Sequence, residues 1–350
     1  MRQLRLPRPV ITLSLIVALF AGIGVSSAAN EQELSPVWAV EWSPDGTKIA
    51  LAGGPPTCTK DIDDGFAVYI LDANTEQIQQ KLSGHSCTLY SIAWSPDGTK
   101  LVSSSIDGKA KVWDTQSGKL LSTTKEFTLG RGKVVWSPDG TKIANVWVED
   151  FRFEIFNPTN GEKIRAIGVT GAGVIASVAW SPDGSKIAAD SGDDNLIRIW
   201  NPSTGQLIAS LSGHSAEILD LMWSPDGSKL ASSGLDQKLI IWDMSTKQPI
   251  KIITADGNIG SLNWNPQGNM IAGGLISPRK AQVWDANSGQ VISTIQSNVG
   301  TIYNLAWSPD GTQLAYVGEN TGLKGENLQI IPAPTSAAPE ATSTAEAGGG

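Results

Sequence analysis

The five letters WSPDG occur six times in this 350-residue chain, starting at Trp42, Trp94, Trp136, Trp180, Trp223 and Trp307. A seventh copy, WNPQG, starts at Trp264. The seven tryptophans stand 52, 42, 44, 43, 41 and 43 residues apart. Length alone would suggest two or three domains, but a fixed period near 43 overrides that, because each period must be one unit of a repeated array. Every unit has the same internal grammar. The second reads LYSIAW, SPDG, KLVSSS, IDGK, AKVWD, TQSGK and LLSTT, which is four short β-type runs divided by turn residues. The 37 glycines and 19 prolines suit such a turn-rich all-β chain.

Four strands per unit and seven units predict an all-β fold, a seven-bladed β-propeller of four-stranded antiparallel blades. WSPDG then reads as the turn between the first two strands. Proline presets φ, aspartate bonds local backbone, and glycine takes the left-handed conformation. The worn copy keeps Trp, Pro and Gly and drops the carboxylate, so the backbone geometry is what repeats. Two residues before each marker tryptophan stand Val40, Ile92, Val134, Val178, Leu221, Leu262 and Leu305, all large aliphatics. Three residues before it stand Ala39, Ser91, Lys133, Ser177, Asp220, Ser261 and Asn304, mostly small or polar. One strand face is bulky and the other slim, which predicts blades packed large against small.

These features resemble the WD-repeat propeller family, as an exported, bacterial-type member. The resemblance is carried by VWD at 112–114, IWD at 241–243, VWD at 283–285, IWN at 199–201, and GH at 84–85 and 213–214. It runs from Ser35 to Ile331, with degenerate copies YILD at 69–72, EIFN at 154–157 and LQII at 328–331. His85, Ser103, Asp107 and Trp113 match His214, Ser232, Asp236 and Trp242 at identical spacings. In that family the equivalent four form a hydrogen-bonded chain across one blade. Histidine, serine and aspartate also serve hydrolases, but a set that recurs at matching blade positions reads as structure. The resemblance implies a non-catalytic protein-interaction scaffold. It also implies that the last blade borrows its outer strand from the opposite chain end, where residues 30–35 and the C-terminal APTSAAP are both poor strand formers, so closure is expected to be the weak joint.

The chain ends read differently from the repeats. Arg2, Arg5 and Arg8 precede an apolar run from Val10 to Val25 and then SSAAN. This predicts a signal peptide over 1–29, with an uncleaved anchor as the alternative; only that anchor would bring a membrane into play. The propeller is placed at 30–331 and a disordered Pro/Ala/Ser/Thr/Gly-rich tail at 332–350. The expected location is extracytoplasmic: secreted, periplasmic or cell-surface. The net charge of -8 and the lack of a basic run beyond the first eight residues exclude a nucleic-acid backbone binder. No cofactor or metal is expected, because DIDDG at 61–65 lacks the downstream glutamate of a calcium loop.

Function is sought where the repeat breaks its own rule. Blade 1 carries about ten extra residues in GGPPTCTKDIDDGF. Topology places Cys58 of that loop beside Cys87 of the loop entering blade 2, which predicts a disulfide in an exported chain. Four residues before the marker stand Trp38, Tyr90 and Tyr303, from blades that neighbour one another in a closed ring. They form either a contact patch for a protein or peptide partner near the channel mouth, with Arg131 and Lys133 adding polar contact, or packing beside the closure. A monomer is expected. The competing reading, an enzyme or a small-ligand or metal-binding propeller using the central channel, needs convergent ionisable groups there. The spacing of the repeats predicts none.

Overall fold

The computed structural model describes residues 36–55, 58, 66–124, 132–147, 152–168, 175–319 and 327–334. Their strands form seven antiparallel sheets, each built from strands consecutive in sequence. Blade 1 contains β1 (Val37–Trp42), β2 (Lys48–Gly53), β3 (Ala67–Asp72) and β4 (Ile78–Ser83). Blade 2 contains β5 (Leu89–Trp94), β6 (Lys100–Ser105), β7 (Lys109–Asp114) and β8 (Leu120–Thr123). Blade 3 contains β9 (Val134–Trp136), β10 (Ile143–Trp147), β11 (Arg152–Phe156) and β12 (Lys163–Gly168). Blade 4 contains β13 (Val178–Trp180), β14 (Ile187–Asp190), β15 (Leu196–Trp200) and β16 (Leu207–Ser212). Blade 5 contains β17 (Ile218–Trp223), β18 (Lys229–Gly234), β19 (Lys238–Asp243) and β20 (Gln248–Thr254). Blade 6 contains β21 (Ile259–Trp264), β22 (Met270–Leu275), β23 (Lys280–Asp285) and β24 (Val291–Gln296). Blade 7 has three strands among the described residues, β25 (Ile302–Trp307), β26 (Gln313–Gly318) and β27 (Leu328–Pro332).

The core is a set of seven apolar seams, one between each pair of neighbouring blades. Between blades 1 and 2, Ala39, Ala50 and Ala52 receive Ile92, Trp94 and Leu101. Between blades 4 and 5, Ala179 and Ala188 receive Leu221 and Trp223. The small face of one blade therefore takes the large face of the next, as the alternation along the first strands requires.

The turn chemistry is uniform. Ser43 Oγ donates to Asp45 Oδ1 at 2.6 Å, the Thr47 N–H donates to the same oxygen at 3.0 Å, and the Lys48 N–H donates to Ser43 Oγ at 2.9 Å. Gly46 takes φ of 70°, where a side chain would be strained. These bonds hold the exposed carboxylates in their charged form: Asp97, Asp139, Asp183 and Asp226 are each lowered to about 2, chiefly by the serine two residues before. In WNPQG, Asn265 Oδ1 takes over, accepting from the N–H groups of Asn269 and Met270 at 3.0 and 2.8 Å. Amides replace the carboxylate, and the turn survives.

Two expectations change. Pro332 belongs to β27, opposite Gln313, and the Ala333 N–H donates to Thr312 O at 2.7 Å, so the ordered strand runs past the expected boundary at Ile331. Proline has no N–H to donate and is tolerated on an outer edge. The joint between blades 7 and 1 is also not deficient. Val37, Val40 and Trp42 pack on Ala306, Ala315 and Val317. The Trp42 indole donates to Ala306 O at 3.2 Å, and the Val40 N–H donates to Asn304 Oδ1 at 3.1 Å. Among the described residues, this side-chain packing and these two bonds close the ring there. Residues 1–35 and 335–350, with the signal segment, the candidate closing segment 30–35 and most of the tail, lie outside the described residues.

Candidate functional site

In five of the seven first strands, the position four residues before the marker tryptophan sits on a β-bulge. Pairing jumps between Val37 and Ala39, between Leu89 and Ser91, and between Ile302 and Asn304. Trp38, Tyr90 and Tyr303 are the residues skipped. A bulge leaves its extra residue out of the ladder and re-aims its side chain. Here it turns three aromatics from three blades onto one another. Trp38 stacks on Tyr303 with ring centroids 4.2 Å apart and planes 22° apart. It meets Tyr90 at 5.1 Å, tilted by 48°. All three are half-buried. The blade 5 and blade 6 bulges carry Leu219 and Gly260 instead.

The cluster is braced on two sides. The Trp38 indole donates to Gly54 O at 3.3 Å, at the start of the blade 1 insertion. Cys58 and Cys87 are bonded, S–S 2.07 Å, which fastens the insertion to the segment leading into Tyr90. Thr88 Oγ1 donates to Pro55 O across the same gap. On the other side, Arg279 and Glu319 form an ion pair at 3.4 Å. Burial pushes the Tyr303 phenol up to about 12, with the Glu319 charge adding to the effect.

The central channel does contain convergent ionisable groups, which corrects the sequence expectation. Lys133 Nζ lies 2.7 Å from Asp220 Oδ1, joining blade 3 to blade 5. Lys133 therefore serves the channel and not the aromatic cluster; Arg131 lies outside the described residues. Asp220 is fully engaged: Ser177 Oγ donates to Oδ1 at 2.8 Å and the Leu262 N–H to Oδ2 at 2.8 Å. Glu41 Oε2 accepts from the Trp94 N–H at 2.8 Å. Burial pushes its carboxyl up to about 8, against the opposing pull of that bond and of the Lys133 charge. Asp190, buried in blade 4, is pushed up to about 7 although it accepts from the N–H groups of Ala176 and Ser177. Sequence reading missed Lys133–Asp220 and Glu41–Trp94 because the partners lie on different blades, 87 and 53 residues apart.

The two four-residue sets form chains of short bonds. The Trp113 indole donates to Ser103 Oγ at 2.9 Å, and because the Asp107 carboxylate can only accept, the proton of the neutral His85 ring sits on Nδ1 and Nε2 accepts from the serine hydroxyl at 2.9 Å. His85 Nδ1–H then meets Asp107 at 2.8 Å. Trp242, Ser232, His214 and Asp236 repeat this at 2.9, 2.8 and 3.0 Å. Burial lowers both histidines, so both are neutral at pH 7. Each serine oxygen is capped by an indole N–H and a histidine inside the blade, with no room for a substrate atom. Among the described residues, no group of three or more His, Cys, Asp or Glu side chains is placed to hold a metal. No helix among them is long and apolar enough to cross a membrane.

The WD domain, G-beta repeat family matches at residues 76–114, 163–201 and 205–243. These segments match the WD40 repeat, and the fold around them is an all-β seven-bladed β-propeller of mostly four-stranded antiparallel sheets. It is 35% identical over 94 residues to WD repeat-containing protein 1 of Bos taurus, covering 26% of this chain and 13% of that protein. It is 27% identical over 256 residues to Protein HIR1 of Cryptococcus neoformans, covering 68% of this chain and 25% of that protein. It is 36% identical over 81 residues to Cell division cycle 20.1, cofactor of APC complex, of Arabidopsis thaliana, covering 21% and 17%. The chain thus spans a quarter or less of the length of these curated relatives, all of them eukaryotic. WD40-repeat proteins are generally non-catalytic scaffolds that bind protein partners.

Proposed function

We propose that this propeller is a non-catalytic scaffold acting outside the cytoplasm, and that it binds a protein or peptide partner on the face carrying Trp38, Tyr90 and Tyr303. The observation that carries the reading is the convergence of three bulge aromatics from three blades into one half-buried cluster. Space-filling alone does not call for it, since blades 5 and 6 place Leu219 and Gly260 at the same bulge. Large, rigid, amphipathic rings at the centre of a patch are the typical anchors of protein interfaces. The Cys58–Cys87 bond ties the blade 1 loop to the segment that leads into Tyr90.

Export is supported by residues 1–29 and is compatible with the disulfide, which persists in oxidising compartments. A channel-based enzyme or ligand site is disfavoured, because the Asp220 oxygens are already bonded to Lys133, Ser177 and Leu262. The test is a crosslinking pull-down from the native compartment with the intact protein and a Trp38→Ala, Tyr90→Ala, Tyr303→Ala variant whose folding is checked by circular dichroism. Specific capture lost in the variant supports the reading; capture unchanged removes the cluster from the interface. Mature protein beginning after Ala28 or Ala29 supports export, and a retained N-terminus contradicts cleavage.

A further inference from the structure

The joints between blades are fastened by a repeated pair of polar bonds. In six of seven, the marker indole donates to a backbone carbonyl of the preceding blade. Trp42 bonds Ala306, Trp94 bonds Glu41, Trp136 bonds Ala93, Trp223 bonds Ala179, Trp264 bonds Met222 and Trp307 bonds Asn263, at 2.9 to 3.3 Å. The same six joints carry a second bond, from a backbone N–H of the following blade to a side chain of the preceding one. The acceptors Asn304, Ser91, Ser177 and Asp220 stand three residues before their marker. Glu41 and Asn263 stand one residue before theirs.

Among the described residues, the joint between blades 3 and 4 has neither. The Trp180 indole N–H is buried without an acceptor. The two acceptor positions of blade 3 are held by Lys133 and Val135, and neither side chain can accept a hydrogen bond. The first strands there, β9 and β13, are the shortest, three residues each. The apolar seam remains, with Ala144, Val178 and Trp180 in contact. The polar links are of another kind: at the outer rim the Arg165 guanidinium donates to Ser203 O and Thr204 O of blade 4 at 2.7 and 3.2 Å. Lys133 Nζ reaches out of blade 3 to Ser177 Oγ of blade 4 at 3.3 Å, and to Asp220 Oδ1 and Leu221 O of blade 5 at 2.7 and 3.4 Å.

We infer that the joint between blades 3 and 4 is the seam at which this ring opens, and that Lys133 is the strap holding it shut from the channel. The positional logic is chemical. A lysine where the other blades place an acceptor or an alanine loses the local bond to the next blade and gains a charged bond one blade further on. The inference is independent of which partner the propeller binds.

Native-state hydrogen exchange by mass spectrometry on the full chain tests it. In the unmodified protein, amides of Val134–Trp136 and Val178–Trp180 should exchange before those of Val37–Trp42 and Ile302–Trp307. Lys133→Met should speed exchange at the seam by about tenfold or more, the effect of losing a charge-assisted bond, and leave the joints that share no partner with Lys133, such as that between blades 7 and 1, unchanged. Val135→Asn, which places an amide where Asn263 acts, should slow it. Should Lys133→Met fail to fold, the unmodified protein at low and high salt decides, since screening should loosen this joint more than the joint between blades 7 and 1. Earliest exchange at the joint between blades 7 and 1, or a seam indifferent to both salt and Lys133→Met, overturns the inference.

Discussion

Ser103→Ala deletes one oxygen from the interior of blade 2 and strands two neighbours. Ser103 and His85 are fully buried and Trp113 is 2% exposed. Without the hydroxyl, the Trp113 indole N–H loses its acceptor and His85 Nε2 loses its donor. A buried polar group left unpaired costs about 1–3 kcal/mol, and the methyl group that remains fills most of the space. Two such groups give an expected loss of about 2–6 kcal/mol. Equilibrium urea unfolding at pH 7, followed by tryptophan fluorescence, should show a lower midpoint at unchanged slope. The doubly substituted Ser103→Ala, Trp113→Phe protein should recover part of the loss, because the indole donor is then gone as well. Blade 3 also has phenylalanine, Phe156, at the position of Trp113, with Asn145 at that of Ser103. A loss below about 1 kcal/mol for Ser103→Ala would refute the claim that the chain of bonds stabilises the blade.

The reverse change in blade 6 should fail: Gly273→Ser places a hydroxyl opposite the acceptor-less Trp284 indole, yet its Cβ would lie 2.7 Å from the Trp284 ring and 2.9 Å from Ile259. Thermal unfolding should show a lower Tm, and a higher one would contradict the packing argument. Glu41→Gln should alter the pH dependence of stability. A carboxyl raised from 4.5 to about 8 keeps its proton in the folded state, so stability falls as pH rises through that window. The glutamine variant should lose that contribution to the decline and be relatively more stable at pH 8, as read from urea midpoints at pH 5 and 8; parallel profiles would contradict it. Cys58→Ser should remove a crosslink spanning 29 residues and cost up to about 3–4 kcal/mol by loop entropy. Two free thiols by mass spectrometry in the native protein would remove its premise.

The period, the strand grammar and the large-against-small faces were legible because a propeller writes each blade into a contiguous segment. The disulfided loop was legible for the same reason, since Cys58 and Cys87 lie on consecutive loops of one face. The aromatic cluster was half legible. Its three positions stand out by alignment of the repeats, but the bulges that turn the rings together are events of register, which residue type does not announce. Lys133 and Asp220 were illegible as a pair, because no local spacing links blades 3 and 5. The expected weakness at closure came from the poor strand propensity of residues 30–35. It overlooked that Trp42 and Val40 carry the same fasteners as other joints, whereas Lys133 and Val135 in blade 3 cannot supply them.

The most direct test of the scaffold reading places a photo-crosslinking amino acid, one position at a time, at Trp38, at Tyr303, at Ile208 on the outer edge of blade 4 and at Asp139 in a turn between β9 and β10, in the full chain in its native cell. The account predicts specific adducts to one protein partner from Trp38 and Tyr303, and none from Ile208 or Asp139. Adducts that arise equally from all four positions, or only from Ile208 or Asp139, would contradict it.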